Sequence, residues 1–153
     1  DKIEFVMANA RFRLRSESID EVPVISSCLQ DAIARIEDMT YIPHLRRFAM
    51  VVTRYCWELA DEIGSEGGER VRCGIHFDDV LRVQIKGIDP MDRRGFLLLL
   101  AITAEELPHG VALKLHFAGG GLVGLEAEAV NCYLIDFEQG WLTHGRPDHD
   151  LLG

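Results

Sequence analysis

Cysteine pairs are missing from this sequence of 153 residues. Its four cysteines, Cys28, Cys56, Cys73 and Cys132, form no C-x-x-C motif. Three of them lie within apolar patterns, where cysteine behaves as a small hydrophobic residue. We therefore expect four reduced structural thiols, and neither a disulfide framework nor a cysteine zinc site.

Long hydrophobic runs and an excess of positive charge are also missing. The most apolar run, residues 96–102, is far shorter than the ~20 residues that cross a bilayer. No leader-like segment opens the chain, so we expect a cytoplasmic protein. Lys and Arg number 16 against 25 Asp and Glu, a net charge of −9, which argues against binding to nucleic acid or to an anionic membrane.

The composition and length are those of one globular domain. Hydrophobic residues make up 48% and charged residues 27% of the chain, which excludes a disordered chain, a collagen or a coiled coil. A chain of this length favours one core, and we expect a single domain over residues 7–153. Residues 1–6 look like the remnant of an expression tag, and residues 144–153 are predicted to form a loose polar tail.

One amphipathic helix is predicted over residues 21–35. Asp20 can cap it, and Pro23 falls in the first turn, where its missing N–H costs nothing. Four apolar residues recur at helical spacing: Val22, Ile25, Leu29 and Ile33. The helix is therefore expected to precede the rest of the fold and to pack on it.

Downstream of residue 35 the hydrophobic pattern has a period of two, which predicts about seven short strands. Both faces of residues 47–58 are largely apolar, and residues 96–102 form an apolar run that predicts a central strand. Residues 130–137 fit either a last strand or a short helix.

Two hairpins follow from matching the inward residues of neighbouring strands. The first pairs Phe77 with Leu81 and Ile75 with Val83. The second is closed by residues 118–120, and its predicted pairs are Leu115 with Val123 and Leu113 with Leu125.

The predicted fold class is α+β, with the helix packed on a curved, mostly antiparallel sheet or partly open barrel. The elements lack βαβ alternation, which excludes a parallel doubly wound sheet. A pleckstrin-homology-like barrel is one such arrangement, although the helix normally comes last in that fold.

Gly119, Gly121 and Gly124 match the G-x-G-x-x-G pattern of dinucleotide-binding loops. Such a loop must open a helix inside a βαβ unit, whereas here it is predicted to close a hairpin. We therefore read these glycines as turn residues and predict no cofactor.

His76, Asp78 and His116 are weak candidates for a metal site. The H-x-D spacing places His76 and Asp78 on one face of a strand, and His116 also points outward. The pattern does not show that the two strands are neighbours, so surface histidines are the simpler interpretation.

Arg54 interrupts an apolar strand face between Val52 and Cys56. A guanidinium that leaves water needs a carboxylate or a ring of carbonyls, and Asp31, Asp38 and Glu58 are the expected carboxylate partners. A structural ion pair, or a strand end that reaches solvent, is one interpretation. The other is an anion-binding spot formed by Arg54 with Arg46 or Arg47.

Trp57 shares the opposite face of this strand with Thr53 and Tyr55. These aromatic side chains either pack against another element or form an exposed patch for a partner.

Several short segments occur together and in order: Val24-Ile25-Ser26, Gln30-Asp31-Ala32, Asp38-Met39, Tyr41, Pro43, Arg46-Arg47-Phe48, Arg54, Trp57-Glu58, Gly87-Ile88-Asp89, Phe117-Ala118-Gly119-Gly120-Gly121 and Leu125-Glu126. This set resembles a family of small alphaproteobacterial proteins known as domain of unknown function 2948. The similarity covers about residues 10–147, and Tyr55 and Cys56 depart from it. It implies a bacterial cytoplasmic protein, and it offers no activity, cofactor or catalytic residue to transfer.

No strong catalytic motif occurs in the sequence, so the first hypothesis is a small non-catalytic binding or adaptor module. Its candidate binding residues are Arg46, Arg47, Arg54 and Trp57. The expected partner is a protein or a small anionic ligand, and a homodimer is compatible with the pattern. The alternative is a small metal-dependent or anion-binding enzyme that uses His76, Asp78, His116 or Arg54.

Overall fold

The structure is a computed structural model, and it describes residues 12–55 and 70–137. The predicted tag remnant, Trp57 and the predicted tail lie outside the described residues. In the described part of the chain, no helix has the length and apolar character needed to span a bilayer.

Nine strands and one α-helix occur in the described residues. The helix α1 is Val22–Cys28. The strands are β1 (Arg13–Ser16), β2 (Ile33–Ile42), β3 (Arg47–Tyr55), β4 (Arg70–Phe77), β5 (Val80–Lys86), β6 (Phe96–Leu107), β7 (Gly110–Phe117), β8 (Leu122–Ala127) and β9 (Cys132–Asp136).

All nine strands form one open antiparallel sheet in the order β1-β9-β4-β3-β2-β6-β7-β8-β5. β2 lies between β3 and β6: residues 33–34 and 39–42 pair with β3, with a register shift between them, and residues 33–35 pair with β6 on the other side. The backbone N–H of Val80 donates to the carbonyl of Arg46 over 2.9 Å. This contact brings the start of the last strand, β5, back against β3, so the sheet curls around its apolar interior.

The inward residues of the alternating strands fill this interior, as the period of two predicts. Each is at most 7% exposed: Phe48, Met50, Val52, Val71, Cys73, Ile75, Phe77, Val111, Leu113, Leu115, Phe117, Val123, Leu125, Cys132 and Leu134. Val22 and Ile25 of α1 join the same core. The helix lies beside the part of β6 that follows its pairing with β2, and the Ser26 hydroxyl accepts a hydrogen bond from the N–H of Ile102 over 2.9 Å.

The antiparallel α+β class is confirmed, and three details of the prediction are wrong. The helix follows β1 instead of leading the fold, it ends at Cys28 instead of residue 35, and the strands number nine rather than about seven. The helix stops early because Asp31 adopts a left-handed backbone with φ of 65°, and Ile33 then begins β2. The segment 130–137, which fitted either structure, contains strand β9.

The second predicted hairpin is confirmed, with Leu115 opposite Val123 and Leu113 opposite Leu125. Its turn spans Ala118–Gly120, and Gly119 has a φ of 83°. The glycine-rich segment therefore closes a hairpin and does not open an α-helix, which removes the structural basis of a dinucleotide loop.

The first predicted hairpin is wrong. β4 pairs with β3 and β9, whereas β5 pairs with β8. Leu81, predicted to point inward, is 48% exposed, whereas Val83 and Ile85 lie opposite the buried Leu125 and Val123. The chain turns away from β4 at Asp79, which takes a left-handed conformation with φ of 63°. It then enters β5, the last strand in the sheet order, which pairs with β8.

Candidate functional site

The outer face of β1, β9 and β4 carries a row of polar and aromatic side chains. The strand register aligns Arg15 with Tyr133 and Tyr133 with His76. All three alternate with buried residues, so their side chains point away from the core. We call this row the Arg15–Tyr133–His76 ladder.

The three planar groups of the ladder lie against one another. The guanidinium carbon of Arg15 is 4.7 Å from the centroid of the Tyr133 ring, which is a cation–π contact. The Tyr133 and His76 rings stack with centroids 5.0 Å apart and an interplanar angle of 21°. Because each group supports the next, their polar ends are held in a line across three strands.

Asp78 fixes the last member of the ladder. Its carboxylate lies 3.1 Å from Nδ1 of His76 and accepts a 2.7 Å hydrogen bond from Nε of Arg47. The backbone N–H of Asp78 donates to the carbonyl of Asn131 over 2.8 Å, which holds the residue just beyond the end of β4. With the Nδ1–H directed at Asp78, Nε2 of His76 is the acceptor that remains for another molecule.

The pKa of His76 lies below its ordinary value of 6.5. Burial is the largest cause, because it penalises the charged ring, and the nearby Arg47 guanidinium lowers the pKa further. Asp78 acts in the opposite direction through its charge and its hydrogen bond. The net effect favours a neutral ring at pH 7.

This shift predicts a pH dependence of stability. Below pH 6.5 the unfolded state takes up a proton on His76 before the folded state does, so the free energy of unfolding falls as the pH drops. The loss levels off once the pH passes below the pKa of the folded protein. Urea unfolding at pH 7.5 and 5.5 should therefore show a larger drop for the wild type than for His76→Gln. An equal or smaller drop in the wild type contradicts the predicted direction.

A cleft of about 490 Å³ lies over the ladder. Its lining includes Arg13, Arg15, His76, Tyr133 and Ile135. It therefore combines guanidinium groups, two aromatic rings and aliphatic surface, a mixture that fits a ligand with both charged and apolar parts.

The cleft lies on a positive face of an acidic protein. By strand alternation this face carries Arg13, Arg15, Arg47, Arg70 and Arg72. The whole chain has a net charge of −9, so this concentration of arginine is local. Such a local concentration attracts anionic groups, and a ligand carboxylate would compete with Glu17 for Arg15 and with Asp78 for Arg47.

Comparison with known sequences decides the family. The sequence model of a family described as a protein of unknown function (DUF2948) matches residues 12–149. The chain belongs to the DUF2948 family. Neither the curated proteins nor the solved structures include a match to it. The matched region contains all the residues of the ladder and the cleft.

The candidate arginines of this DUF2948 chain do not form one anion-binding spot. Arg46 pairs with Glu128 over 3.3 Å, and Arg47 pairs with Asp78. Arg54 lies at the other end of β3, about 23 Å from Arg47 for seven extended residues.

Arg54 has the structural ion pair that one interpretation expected, with a different partner. Its Nε and Nη2 donate to the Asp136 carboxylate over 2.9 and 2.8 Å, in place of Asp31, Asp38 or Glu58. The Arg54 side chain is 0% exposed, and its guanidinium lies 4.8 Å from the Phe12 ring centroid. It therefore belongs to the interior, where a partner protein cannot reach it.

The metal candidates are separated in the DUF2948 fold. His76 and Asp78 come together, but His116 lies on β7, with β3, β2 and β6 between it and β4. His116 instead contacts the Thr103 hydroxyl through Nε2 over 2.9 Å. Within residues 12–55 and 70–137, no three His, Cys, Asp or Glu side chains are grouped to hold a metal ion.

The sequence analysis missed Arg15 and Tyr133 as site residues. Tyr133 lies in the segment that fitted both a helix and a strand, and β1 is only four residues long. The available signal was the alternation of Cys132, Leu134 and Asp136 with Tyr133 and Ile135, but the buried Asp136 conceals the period of two.

Proposed function

We propose that this DUF2948 protein is a small non-catalytic binding module of the cytoplasm. Its cleft over the Arg15–Tyr133–His76 ladder recognises a carboxylate group, either of a small organic acid or of an acidic segment in a partner protein. The observation that carries this proposal is the aligned ladder, which presents a cation, two rings and a hydrogen-bond acceptor in one row.

The ladder defines what a ligand must carry. The guanidinium of Arg15 favours an anionic group, which it can bind through charge-assisted hydrogen bonds. Nε2 of His76 accepts a hydrogen bond, so the ligand should offer an O–H or N–H group there. The 4.7 Å from the Arg15 guanidinium to the Tyr133 ring and the 5.0 Å from that ring to His76 set the distance between the anionic group of the ligand and its O–H or N–H group. A hydroxylated aromatic acid has all the required parts.

The electrostatics of His76 favour binding over proton transfer. An efficient general base has a pKa near the working pH, whereas burial and Arg47 lower the pKa of His76 below 6.5. Arg47 also binds the Asp78 carboxylate over 2.7 Å, which weakens its support for a positively charged ring. His76 is therefore better suited to accept a hydrogen bond than to carry a proton.

The alternative function is an anion-binding enzyme that uses the same His76–Asp78 pair. The 3.1 Å contact at Nδ1 orients the ring, as a carboxylate orients a catalytic histidine in many hydrolases. Chemical conversion of a bound acid by the wild type, lost in His76→Gln, would support this alternative.

The binding proposal is tested by following the amide resonances of ¹⁵N-labelled protein during titration. The probes are 4-hydroxyphenylacetate, succinate and a glutamate-rich peptide. We expect shifts centred on residues 13–15, 74–76 and 133–135, and a Kd at least ~10-fold weaker in Arg15→Gln, because a charge-assisted hydrogen bond is lost. A response to the peptide alone indicates an adaptor, and a response to the small acids alone indicates a small-molecule binding module.

Arg82→Gln is the matched control. Arg82 is also exposed, at 60%, and pairs with Glu126 over 3.2 Å, as Arg15, at 48%, pairs with Glu17. It lies on β5 at the other end of the sheet, so its removal should leave the Kd unchanged. Equal weakening by both substitutions, or shifts that map away from the cleft, contradicts the proposal.

A further inference from the structure

A second, smaller pocket opens between β2 and β5, and residues of both strands line it. Within the described residues, β5 pairs with β8, and β2 pairs with β3 and β6, so no strand pairing closes the space between β2 and β5. The pocket has a volume of about 140 Å³. None of its lining residues lines the cleft over the ladder, so the two are separate. We call it the β2–β5 pocket.

Apolar side chains form the floor and the walls of this pocket. Phe48 and Val123 at its floor are 3% and 0% exposed and belong to the core, so the pocket reaches the apolar interior. The walls come from β2, β5 and the segment after β5: Ile36, Met39, Val83, Ile85 and Ile88. Such a lining offers water few hydrogen-bond partners, so an apolar group gains free energy by taking its place.

The connection between β5 and β6, residues 87–95, is held at both ends beside the pocket. A Cβ added to Gly87 would lie 2.9 Å from the carbonyl oxygen of Gly120, so the start of the connection is pressed against the β7–β8 turn. Near its end, the carbonyl of Arg93 accepts a hydrogen bond from the N–H of Glu37 on β2 over 2.9 Å. The wall that this connection provides is therefore preformed.

Arg93 places a positive charge at the mouth of the pocket. It is exposed, and it is the one charged residue among the described residues that line the pocket. Its guanidinium has no hydrogen bond or ion pair within the described part of the chain. Neighbouring carboxylates have other partners. Glu37 binds Arg35 over 3.0 Å, and Asp89 accepts a hydrogen bond from the N–H of Met91 over 3.0 Å.

Size and charge together define the ligand. An apolar cavity of about 150 Å³ is known to bind benzene, so a pocket of about 140 Å³ holds an apolar body of about six carbon atoms. The group at the mouth should be an anion, because a guanidinium forms charge-assisted hydrogen bonds with a carboxylate. The Thr40 hydroxyl, which also lines the pocket, is a second donor for that carboxylate.

We propose that the β2–β5 pocket binds a small carboxylic acid whose apolar chain has about six carbon atoms. The chain enters toward Phe48 and Val123, and the carboxylate stays at the mouth on Arg93. This site goes beyond the function proposed for the ladder and does not depend on it.

Titration of ¹⁵N-labelled protein with hexanoate at pH 7.5 tests the position and depth of the site. We expect amide shifts centred on residues 36–41, 83–88 and 93. Each methylene that enters the pocket should strengthen binding about 4-fold, so hexanoate should bind about 15-fold more tightly than butanoate. Octanoate should gain at most ~4-fold over hexanoate, because its chain exceeds the pocket. A larger gain indicates adsorption to an open apolar surface and overturns the proposal.

The map of the shifts separates this proposal from the one for the ladder. Hexanoate shifts that centre on residues 13–15, 74–76 and 133–135 would overturn the pocket proposal and leave the ladder proposal standing. An absence of any response to hexanoate would overturn the pocket proposal as well.

Arg93→Gln tests the charge without altering the apolar walls. The Kd for hexanoate should become at least ~10-fold weaker, because a charge-assisted hydrogen bond is lost. The uncharged 1-hexanol should bind the variant and the wild type equally. Arg94→Gln is the matched control, because Arg94 is the next residue and is also exposed but does not line the pocket. Equal weakening of hexanoate by both substitutions, or an unchanged Kd in Arg93→Gln, overturns the proposal.

Discussion

Replacing Arg54 by alanine is expected to lower the free energy of unfolding by about 3–5 kcal/mol, because it leaves the buried carboxylate of Asp136 without its charged partner. For a chain of this size the loss corresponds to a fall in Tm of roughly 6–20 °C. Urea and thermal unfolding of the wild type and the variant measure both quantities.

The size of this effect follows from where the pair lies. Arg54 projects inward from β3 and reaches Asp136 on β9, with β4 between the two strands. The two side chains are 0% and 7% exposed, so water cannot replace the lost guanidinium. The backbone N–H of Asp136 also donates to the carbonyl of Phe12 over 2.9 Å, which fixes the carboxylate in the interior.

The double variant Arg54→Met, Asp136→Leu separates the cost of an isolated charge from the value of the ion pair. It removes both charges and keeps apolar volume at both positions, so most of the stability lost in Arg54→Ala should return. A loss below about 1 kcal/mol in Arg54→Ala, the range of an exposed ion pair, would contradict the buried geometry.

The sequence predicts that Arg54 needs a partner, but it does not identify the partner. Alternation along one strand shows that a guanidinium points inward. The identity of the carboxylate that pairs with it depends on which strands come together in the sheet. β3 and β9 are far apart in the chain and two positions apart in the sheet. Asp136 also breaks the apolar rhythm of its own strand, so its inward direction could not be read from the pattern.

The two predicted hairpins show the same difference between local pairing, which the sequence predicts, and long-range pairing, which it does not. The β7–β8 hairpin is local, with Gly119 and Gly120 at positive φ in its turn, so its register follows from matching inward residues. β5 lies next to β8, which begins 36 residues after Lys86 in the numbering of the chain. The assumption that neighbouring strands in sequence also pair in space therefore failed there.

The candidate site was predictable in part. The H-x-D spacing correctly places His76 and Asp78 on one face, because two residues is the repeat of an extended strand. The stacking of Tyr133 and Arg15 beside them depends on the pairing of β4 with β9 and of β9 with β1. Those long-range pairings bring the ladder together, and no local pattern encodes them.

The second large loss of stability is expected from a substitution at Gly110, where the β6–β7 hairpin turns into β7. This glycine has a φ of 141°, and a Cβ added to it would collide with the backbone carbonyl oxygen of Ala127 on β8. A backbone atom in a hydrogen-bonded strand cannot move aside as a flexible side chain does. Gly110→Ala is therefore expected to lower the free energy of unfolding by about 2–4 kcal/mol, from backbone strain together with the collision.

Gly119→Ala separates these two causes. Gly119 also has a positive φ, 83°, but an added Cβ there meets no atom within 4 Å, so only the cost of the left-handed conformation remains, about 1–2 kcal/mol. Gly110 is the first residue of β7 and Gly119 lies in the turn that follows it, and urea unfolding of the two variants under identical conditions gives the comparison. A larger loss at Gly110 supports the close approach of β8 to the start of β7. Equal losses would mean that strain alone acts, and that the β7–β8 register differs at that end of the sheet.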